Sequence, residues 1–362
     1  MDHMLVLACI SSHGFGHGAR VAALLQELAA REPACRFVLS TGLSAEFLSR
    51  TFVGLSYEHR ACQWDVGVVQ ADALGSDPDS TLEALELLEQ QLPDQLEAEA
   101  RWLEQWRRPN EPVVVVADVP PAAARLAARL GWPLLWHGNF GWDAIYADLA
   151  GPLQVWAKQS LADYRQGQAI LRCPFALPMP WGLPQTSLGL GAGRPRWVQK
   201  AAATRLSWRS LRERSALVCF GGLGLPVEPS LLERWPDWQF FVVNEKLAQA
   251  SNAIWLPQDL RPVDVMPLCS VVITKPGYST FAEALSQQCG VMVVERHGFA
   301  EAEILQKGLQ QHGFHRLLSR TEFEQGLWHL DQPLLAPAGQ PLPIDGAAMG
   351  SEYVLMMLEQ SR

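Results

Sequence analysis

Residues 5–20 read LVLACISSHGFGHGAR, and the order of residue types in this stretch decides the fold class. Residues 5–10 form a continuous apolar run of strand length, the next eight are rich in glycine, and a helical pattern follows over 19–30. A buried strand, a glycine turn and a helix in this order predict the first unit of a parallel α/β sheet.

The rest of the first half repeats this alternation. Apolar runs at 36–40, 113–117 and 134–137 predict further strands, and helical patterns occupy about 79–107 and 121–130. Continuous Val- and Leu-rich strands separated by helices are typical of a parallel sheet that is covered on both faces. The first half therefore predicts a doubly wound domain.

A second α/β unit follows a proline- and glycine-rich stretch that begins near residue 173. Strands are predicted at 216–220, 240–243, 253–256, 271–274 and 291–294, with helices after Gly277 and Phe299. We expect a first domain over 1–180, a linker over 181–205 and a second domain over 206–340. The last segment, 341–362, is expected to hold a helix that packs back on the first domain.

Composition narrows the function classes. The chain has 362 residues, 48% hydrophobic and 19% charged, which suits two folded domains. A net charge of -9 argues against nucleic acid as a partner. No apolar run reaches the ~18 residues of a membrane span, although contact with a membrane surface is left open. Seven cysteines without a CxxC pair favour a reduced, cytoplasmic protein.

The first glycine-rich loop offers a general base. Its spacing is not that of the dinucleotide fingerprint, and the second strand ends in Ser40-Thr41 without the acidic residue that would hold a ribose. A tight turn required by packing alone is one interpretation. Two histidines in the turn favour the other, in which His17 accepts a proton near the helix start.

Asp118 ends the run VVVVAD at the predicted fourth strand. An aspartate before Pro120-Pro121 is also a common helix cap. Since the first and fourth strands of a doubly wound domain are often neighbours, Asp118 is a candidate to hold the His17 imidazole and stabilise its protonated form.

Two loops of the second half suit a phosphorylated ligand. Gly221 and Gly222 follow an apolar strand, and no Walker lysine comes after them. The stretch TKPGYSTFAEA, residues 274–284, combines a lysine, a glycine and hydroxyls at a helix start, which suits a pyrophosphate. Glu283 in that helix has the chemistry to accept both hydroxyls of a ribose, or it is an exposed glutamate of an amphipathic helix.

The triplet Asp77-Pro78-Asp79 has the letters of a metal-binding DxD motif, but it lies where a helix begins. Aspartates there usually cap the helix. We therefore predict no metal site and no cofactor.

The motifs HGFGHGARV, VADVPPAAARLAARLG and KPGYSTFAEAL, with the GG loop, resemble GT-B glycosyltransferases. That group includes the peptidoglycan N-acetylglucosaminyltransferase and the plant-type UDP-glycosyltransferases. The stretches CQWDVGVVQADAL, HGNFGWDAIYADL and LRCPFALPMP are similar to the glycosyltransferase-like N-terminal half of plant L-arabinokinases. The resemblance spans about residues 13–305 and does not include a kinase half, so sugar phosphorylation is not expected. It implies two Rossmann-like domains facing each other across a cleft.

The resemblance also assigns roles by position. His17 would be the base and Asp118 its orienting partner. Donor-binding residues would be Gly221, Gly222, Lys275, Gly277, Tyr278, Ser279, Thr280 and Glu283. Residues on the acceptor side of the cleft would be His13, Gly14, Phe15, Gly16, Asp65, Gln70, Asp72, Asn139, Trp142, Asp143, Arg296 and Glu301.

These expectations combine into an inverting, metal-independent glycosyltransferase. It would move a sugar from a nucleotide-sugar donor, with UDP as the expected nucleotide, to a hydroxyl of a small-molecule, glycan or lipid acceptor. Two alternatives stay open: a non-catalytic nucleotide-sugar-binding module, and a nucleotide-sugar epimerase or hydrolase on the same fold. The sugar, the acceptor and the oligomeric state are not predicted.

Overall fold

The computed structural model describes residues 3–70, 75–196, 212–221, 227–296 and 299–361, and these form two parallel sheets. The first sheet has the order β3-β2-β1-β4-β5-β6-β7. Its strands are β1 (Met4–Ile10), β2 (Cys35–Ser40), β3 (Tyr57–Arg60), β4 (Val113–Asp118), β5 (Leu134–Gly138), β6 (Ala169–Arg172) and β7 (Gln185–Ser187). Its helices are α1 (Phe15–Arg31), α2 (Ala45–Thr51), α3 (Pro78–Trp106), α4 (Ala123–Leu130), α5 (Trp142–Leu149) and α6 (Gln154–Tyr164), with a 3-10 turn at Gly151–Leu153.

The second sheet repeats the same winding with the order β10-β9-β8-β11-β12-β13. Its strands are β8 (Ser215–Cys219), β9 (Gln239–Val242), β10 (Ala253–Trp255), β11 (Val271–Thr274), β12 (Gly290–Val294) and β13 (His315–Leu318). The helices are α7 (Pro229–Glu233), α8 (Pro262–Val265), α9 (Tyr278–Ser286), α10 (Ala300–His312), α11 (Arg320–Glu324) and α12 (Gly346–Gln360), with 3-10 turns at Glu245–Gln249 and Met266–Leu268. In each half, the first strand and the fourth are neighbours, as the doubly wound order requires.

The central strands explain why the apolar runs are continuous. Every residue of β1, β4, β8 and β12 is buried, because helices cover both faces of each sheet. In β1 the even-numbered residues Met4, Val6 and Ala8 face one core cluster, and the odd-numbered ones face another. Because both faces of these strands are buried, side chains that could contact a ligand lie at the strand ends.

The last helix ties the two halves together. Helix α12 packs on α1 of the first domain, where Gly350 lies against Leu24: a Cβ at Gly350 would come within 2.9 Å of the Leu24 side chain. Arg31 and Glu352 form an exposed ion pair across the same contact, 2.8 Å long. The C-terminal segment thus crosses back to the first domain.

Two boundaries differ from the sequence-based prediction. Helix α1 begins at Phe15, four residues earlier than expected, so that His17 lies in its first turn. Strand β7 lies inside the stretch predicted as linker and joins the first sheet, because its backbone pairs with β6. The first sheet therefore continues past residue 180, while the predicted boundary between 205 and 206 lies outside the described residues.

The start of α3 follows the prediction for the acidic triplet. Asp77 is the N-cap, its Oδ1 accepts from the Ser80 N–H at 3.0 Å, and Pro78 occupies the first helical position. Hydrogen bonds to Ser80 lower the pKa of Asp77.

Candidate active site

The structure brings His17 and Asp118 together. Asp118 is the last residue of β4 and is in register with Ile10, the last residue of β1. Helix α1 starts from the end of β1 and places the His17 side chain over that point. His17 Nδ1 lies 2.8 Å from Asp118 Oδ1 in a buried contact. The carboxylate can only accept, whereas Arg20 Nη2, 3.1 Å from the same nitrogen, can only donate. The shorter contact to Asp118 favours the tautomer with the proton on Nδ1, which leaves Nε2 for a substrate.

Arg20 holds the same carboxylate. It donates from Nε to Oδ2 at 2.6 Å and from Nη2 to Oδ1 at 2.7 Å. Burial alone would raise the pKa of Asp118, but the charge of Arg20 and the hydrogen bonds of His137 and His17 outweigh it and hold the pKa well below its usual range. The carboxylate is therefore ionised, and its negative charge is balanced inside the protein.

A second imidazole shares Asp118. His137 is in register with Asp118 on the neighbouring strand β5, and its Nδ1 lies 2.7 Å from Oδ2. Its Nε2 faces the buried Cys173 thiol at 3.5 Å. Burial lowers the pKa of His137, while Cys173 and Asp118 raise it to about 9. Both nitrogens of His137 are engaged, whereas Nε2 of His17 has no hydrogen-bond partner among the described residues.

The backbone just after Asp118 is strained. Val119 has a φ of 80°, in the left-handed region that β-branched residues avoid. Tyr164 donates its hydroxyl to the Val119 carbonyl at 2.6 Å and accepts from the Trp142 N–H at 3.0 Å. Strain of this kind, of order 1–3 kcal/mol, persists where surrounding contacts fix the backbone, and it is common at functional sites.

The other histidine of the loop has a different environment. His13 Nδ1 accepts from the Val68 N–H at 3.4 Å, and its ring lies edge-on to Trp142. Gly67, with a φ of 72°, lets the backbone approach so closely that a Cβ there would lie 2.3 Å from His13 Nδ1. Burial, with the nearby cation-forming groups His17, Arg296 and Lys275, lowers the pKa of His13 to about 3. His13 is therefore neutral at physiological pH and packs against Trp142.

A carboxyl group, that of Asp65, lies beside Trp142. Asp65 Oδ2 accepts from Trp142 Nε1 at 2.8 Å, and burial raises the pKa of Asp65. Phe140 lies between Trp142 and His17, with ring centroids 5.1 Å from Trp142 and 5.9 Å from His17. The surroundings of His13 and His17 are thus aromatic and include the buried acid Asp65.

Three contacts join the two domains at this point. Ser279 donates its hydroxyl to the Gly16 carbonyl at 2.7 Å, and a Cβ at Gly16 would lie 3.0 Å from the Ser279 oxygen. The Arg20 guanidinium lies 5.3 Å from the centre of the Tyr278 ring. A hydrogen bond of 2.8 Å runs from Asn139 Nδ2 to Glu301 Oε1. The predicted HGFGHG loop therefore faces the start of α9.

Two cationic side chains lie on the second domain beside that helix start. Gly221 adopts a φ of 74° after β8, and a Cβ there would be 3.8 Å from Lys275 Cε. Burial and the charge of Arg296 lower the pKa of Lys275 to about 8, against the opposing influence of Cys219 and Glu301. Arg296 packs its guanidinium 4.1 Å from the centre of the Phe299 ring. Gly277 is the N-cap of α9, and the first N–H groups of a helix lack partners within the helix.

Glu283 is buried in α9, so the interpretation as an exposed glutamate is wrong. Burial raises the pKa of Glu283 to about 7, with Asp264 adding to the shift and Arg261 opposing it. Arg261 is itself bound to Asp264, with Nη2 to Oδ1 at 2.8 Å. The ion pair with Asp264 therefore weakens the effect of the Arg261 charge on the pKa of Glu283.

The remaining predicted residues are placed as follows. Phe15 stacks on Phe47 and is 43% exposed, and Gly14 is the N-cap of α1. Thr280 lies in the first turn of α9. Gln70 forms an isolated bridge with Ser76. Asp143, in the first turn of α5, accepts from Trp181 Nε1 at 3.1 Å. Asp72 and Gly222 lie outside the described residues.

Sequence analysis missed Arg20 and His137. The signal for Arg20 was its spacing, since residues three apart share a face of a helix, but the predicted helix began after His17. His137 lies one strand over from Asp118 and was counted only as the end of an apolar run.

No helix among the described residues is both long enough and apolar enough to cross a membrane. Nor do His, Cys, Asp and Glu side chains in these ranges form a group of three or more with the arrangement of a metal site.

Comparison with known proteins gives one relative in sequence. No family model matches the chain. It is 28% identical over 371 residues to L-arabinokinase of Arabidopsis thaliana, a match that covers 99% of this chain and 34% of that protein. The chain thus spans about a third of the length of this curated relative. The predicted resemblance to arabinokinases is confirmed as a distant homology.

Solved structures give the fold. A UDP-glucosyltransferase from Polygonum tinctorium that glucosylates indoxyl superposes with a TM-score of 0.60 at 14% identity, covering 99% of both chains. A UDP-glucose:anthocyanidin 3-O-glucosyltransferase in complex with UDP gives 0.60 at 12% identity, covering 99% of this chain and 97% of that one. The chain has the GT-B fold, and the predicted fold class is confirmed.

Proposed function

We propose that this protein transfers a sugar from a nucleoside diphosphate sugar to an acceptor hydroxyl, with inversion at the anomeric carbon. The observation that carries the proposal is the His17–Asp118 pair, 2.8 Å apart, at the carboxyl ends of β4 and β1 and opposite the second domain. Ligands of doubly wound domains bind at this edge of the sheet. A base is therefore located where an acceptor and a donor can meet.

The reaction follows from the protonation states of the pair. Asp118 holds the Nδ1–H of His17, so Nε2 accepts the proton of the acceptor hydroxyl. The hydroxyl oxygen forms a bond to the anomeric carbon as the bond from that carbon to the diphosphate oxygen breaks. The electron pair of the broken bond leaves with the nucleoside diphosphate. The proton ends on His17, whose positive charge Asp118 stabilises.

The second domain would stabilise the leaving group. Lys275 and Arg296 bring positive charge to the cleft, and the N-terminus of α9 adds N–H donors for an anion. These groups supply the electrostatic stabilisation that a metal ion provides in other transferases. We infer a metal-independent reaction, which retained activity in excess EDTA would support.

The proposed donor nucleotide is UDP. The superposed anthocyanidin glucosyltransferase was solved in complex with UDP, and the Polygonum tinctorium enzyme is a UDP-glucosyltransferase. Glu283, buried one turn inside α9, has the position and chemistry to accept both ribose hydroxyls. No observation favours one sugar over another.

The test begins with a thermal-shift screen of nucleotides and nucleotide sugars, since selective binding raises the unfolding temperature. Acceptor panels with the donor that binds then identify transfer. His17→Ala should lower kcat by about 10²–10⁴-fold with little change in donor binding. His3→Ala, which changes an exposed histidine before β1, is the matched control.

Three outcomes would contradict the proposal. Undiminished turnover by His17→Ala would remove the base. Conversion of the sugar with donor alone would indicate an epimerase or a hydrolase. Tight binding of a nucleotide sugar without transfer to any acceptor would indicate a binding module.

A further inference from the structure

A continuous chain of buried hydrogen bonds connects the catalytic pair to the second domain. Arg20 donates from Nη1 to Asn139 Oδ1 at 2.6 Å, and Asn139 donates from Nδ2 to Glu301 Oε1 at 2.8 Å. On its other side Arg20 holds both oxygens of Asp118, which in turn holds His17. Glu301 belongs to α10 of the second domain, so the chain crosses the cleft.

Each member of this chain is buried. Arg20 is 3% exposed, and Asn139 and Asp118 are fully buried. Polar groups taken out of water need their partners, because an unmade buried hydrogen bond is costly. The arrangement of any one member therefore depends on the next.

The geometry uses the shape of the guanidinium and not only its charge. Nε and Nη2 engage Asp118, Nη1 engages Asn139, and Nη2 also lies 3.1 Å from His17 Nδ1, so the nitrogens of one plane contact three partners. A lysine ammonium is a point charge and cannot hold this fork. The Tyr278 ring, also from the second domain, lies 5.3 Å from the guanidinium carbon.

We propose that Arg20 is a positioning residue through which the second domain sets the orientation of Asp118 and thereby of His17. When the domains are together, Asn139 and Tyr278 hold Arg20, and Arg20 holds the carboxylate. When they separate, the Asn139–Glu301 bond and the Tyr278 contact are lost, and of the partners described above Arg20 and Asp118 keep those of the first domain, Asn139 and His137. The imidazole is thus held in its aligned position more firmly in the closed protein. The effect on rate rests on the proposed transferase function, whereas the effect on His17 itself does not.

The first test is Arg20→Lys, which keeps the positive charge beside Asp118 and removes the fork. We expect kcat to fall by about 10- to 100-fold while KM for the donor changes little, as for a misplaced catalytic group. Arg31→Lys is the matched control: Arg31 lies on the same helix and makes only the exposed ion pair with Glu352. A wild-type kcat for Arg20→Lys, with folding confirmed by its unfolding temperature, overturns the proposal.

The second test separates the hydrogen bond of Glu301 from its charge. Glu301→Gln keeps a side-chain oxygen for Asn139, whereas Glu301→Ala removes it. We expect kcat of Glu301→Ala to fall at least about tenfold below that of Glu301→Gln, and its effect to be less than additive with Arg20→Lys. Equal losses for the two variants, or full additivity with Arg20→Lys, would mean that Glu301 acts elsewhere in the cleft.

The third test does not require catalysis. Nitrogen-15 NMR of the histidine rings, assigned by comparison with His17→Ala, should show His17 as the Nδ1–H tautomer in the wild-type protein. Arg20→Lys and Glu301→Ala should each convert it to a mixture of tautomers. An unchanged His17 signal in both variants overturns the positioning role even if the protein proves to be a binding module. Altered signals together with absent transfer would instead contradict only the proposed function.

Discussion

Asp118 and Glu283 are buried carboxyl groups on opposite sides of one cleft, yet the protein shifts their pKa values in opposite directions. The pKa of Asp118 lies well below its usual range, and that of Glu283 is raised to about 7. The difference comes from their neighbours. Asp118 forms an ion pair with Arg20, whereas Arg261, whose charge acts on Glu283, forms its ion pair with Asp264.

The two domains thus surround a buried carboxyl group in two different ways. The first domain supplies the counter-charge of Asp118 from its own Arg20, which keeps the carboxylate ionised before any substrate arrives, and Glu301 of the second domain completes the hydrogen-bond chain through Asn139. The second domain buries Glu283 near an arginine that is paired with Asp264, and burial together with the charge of Arg296 lowers the pKa of Lys275 to about 8. A ligand with ribose hydroxyls and an anionic diphosphate would relieve both.

The largest expected effect comes from changing Asp118 in the first domain. Asp118→Asn keeps the side-chain shape but leaves Arg20 and His137 buried without their counter-charge. We expect the free energy of unfolding to fall by about 3–5 kcal/mol and kcat to fall by about 10³–10⁴-fold. Denaturant titration and steady-state kinetics measure the two losses.

The matched change on the other side is Glu283→Gln. The folded-state pKa of Glu283 is raised, so its contribution to stability is present at acid pH and is lost as pH rises toward 7. At pH 8 the buried carboxylate is unfavourable, and glutamine removes it. We expect Glu283→Gln to be at least as stable as wild type at pH 8. Equal destabilisation by the two amide variants would end the comparison.

A second, smaller effect concerns the pH dependence of donor binding. Glu283 must be ionised to accept two ribose hydroxyls, and Lys275 must be protonated to attract a diphosphate. Since their pKa values are about 7 and about 8, affinity for UDP-glucose should be highest between these pH values. It should fall by up to about tenfold per pH unit on either side. Isothermal titration calorimetry across pH 5.5–9.5 (roughly the range over which both groups titrate) measures the profile.

Each limb has its own control variant. Glu283→Gln should remove the acid limb, because glutamine does not titrate, at the expense of overall affinity. Lys275→Arg should remove the alkaline limb and leave the acid limb in place, because arginine stays charged. A pH-independent affinity in the wild-type protein would show that neither group meets the donor.

The sequence was sufficient to predict the two-domain fold and the pairing of His17 with Asp118. Alternation of buried strands and helices determines the doubly wound order, and that order makes β1 and β4 neighbours. It was not sufficient for Arg20, because the helix was predicted to begin at Ala19. The helix actually begins at Phe15, and this places Arg20 one turn beyond His17 on the same face.

The domain boundary was missed for a different reason. Strand β7 has the sequence QTS, half exposed and without apolar residues, so it carries no hydrophobic signal. Its pairing with β6 is a matter of backbone hydrogen bonds alone. Likewise, no local pattern marks Glu283 as buried, since its burial comes from the packing of α9 against other elements of the fold.

The smallest expected effect concerns the backbone that follows Asp118 in the first domain. Tyr164→Phe removes a hydroxyl that donates to the strained Val119 carbonyl and accepts from Trp142 N–H. We expect about 1–3 kcal/mol lower stability, since both backbone groups lose a buried partner. If the strain at Val119 helps to place Asp118, kcat should also fall several-fold while the donor affinity, set in the other domain, stays at the wild-type value. Tyr353→Phe, on the C-terminal helix, is the control; a loss of donor affinity equal to the loss of kcat would show that the two halves are not built independently.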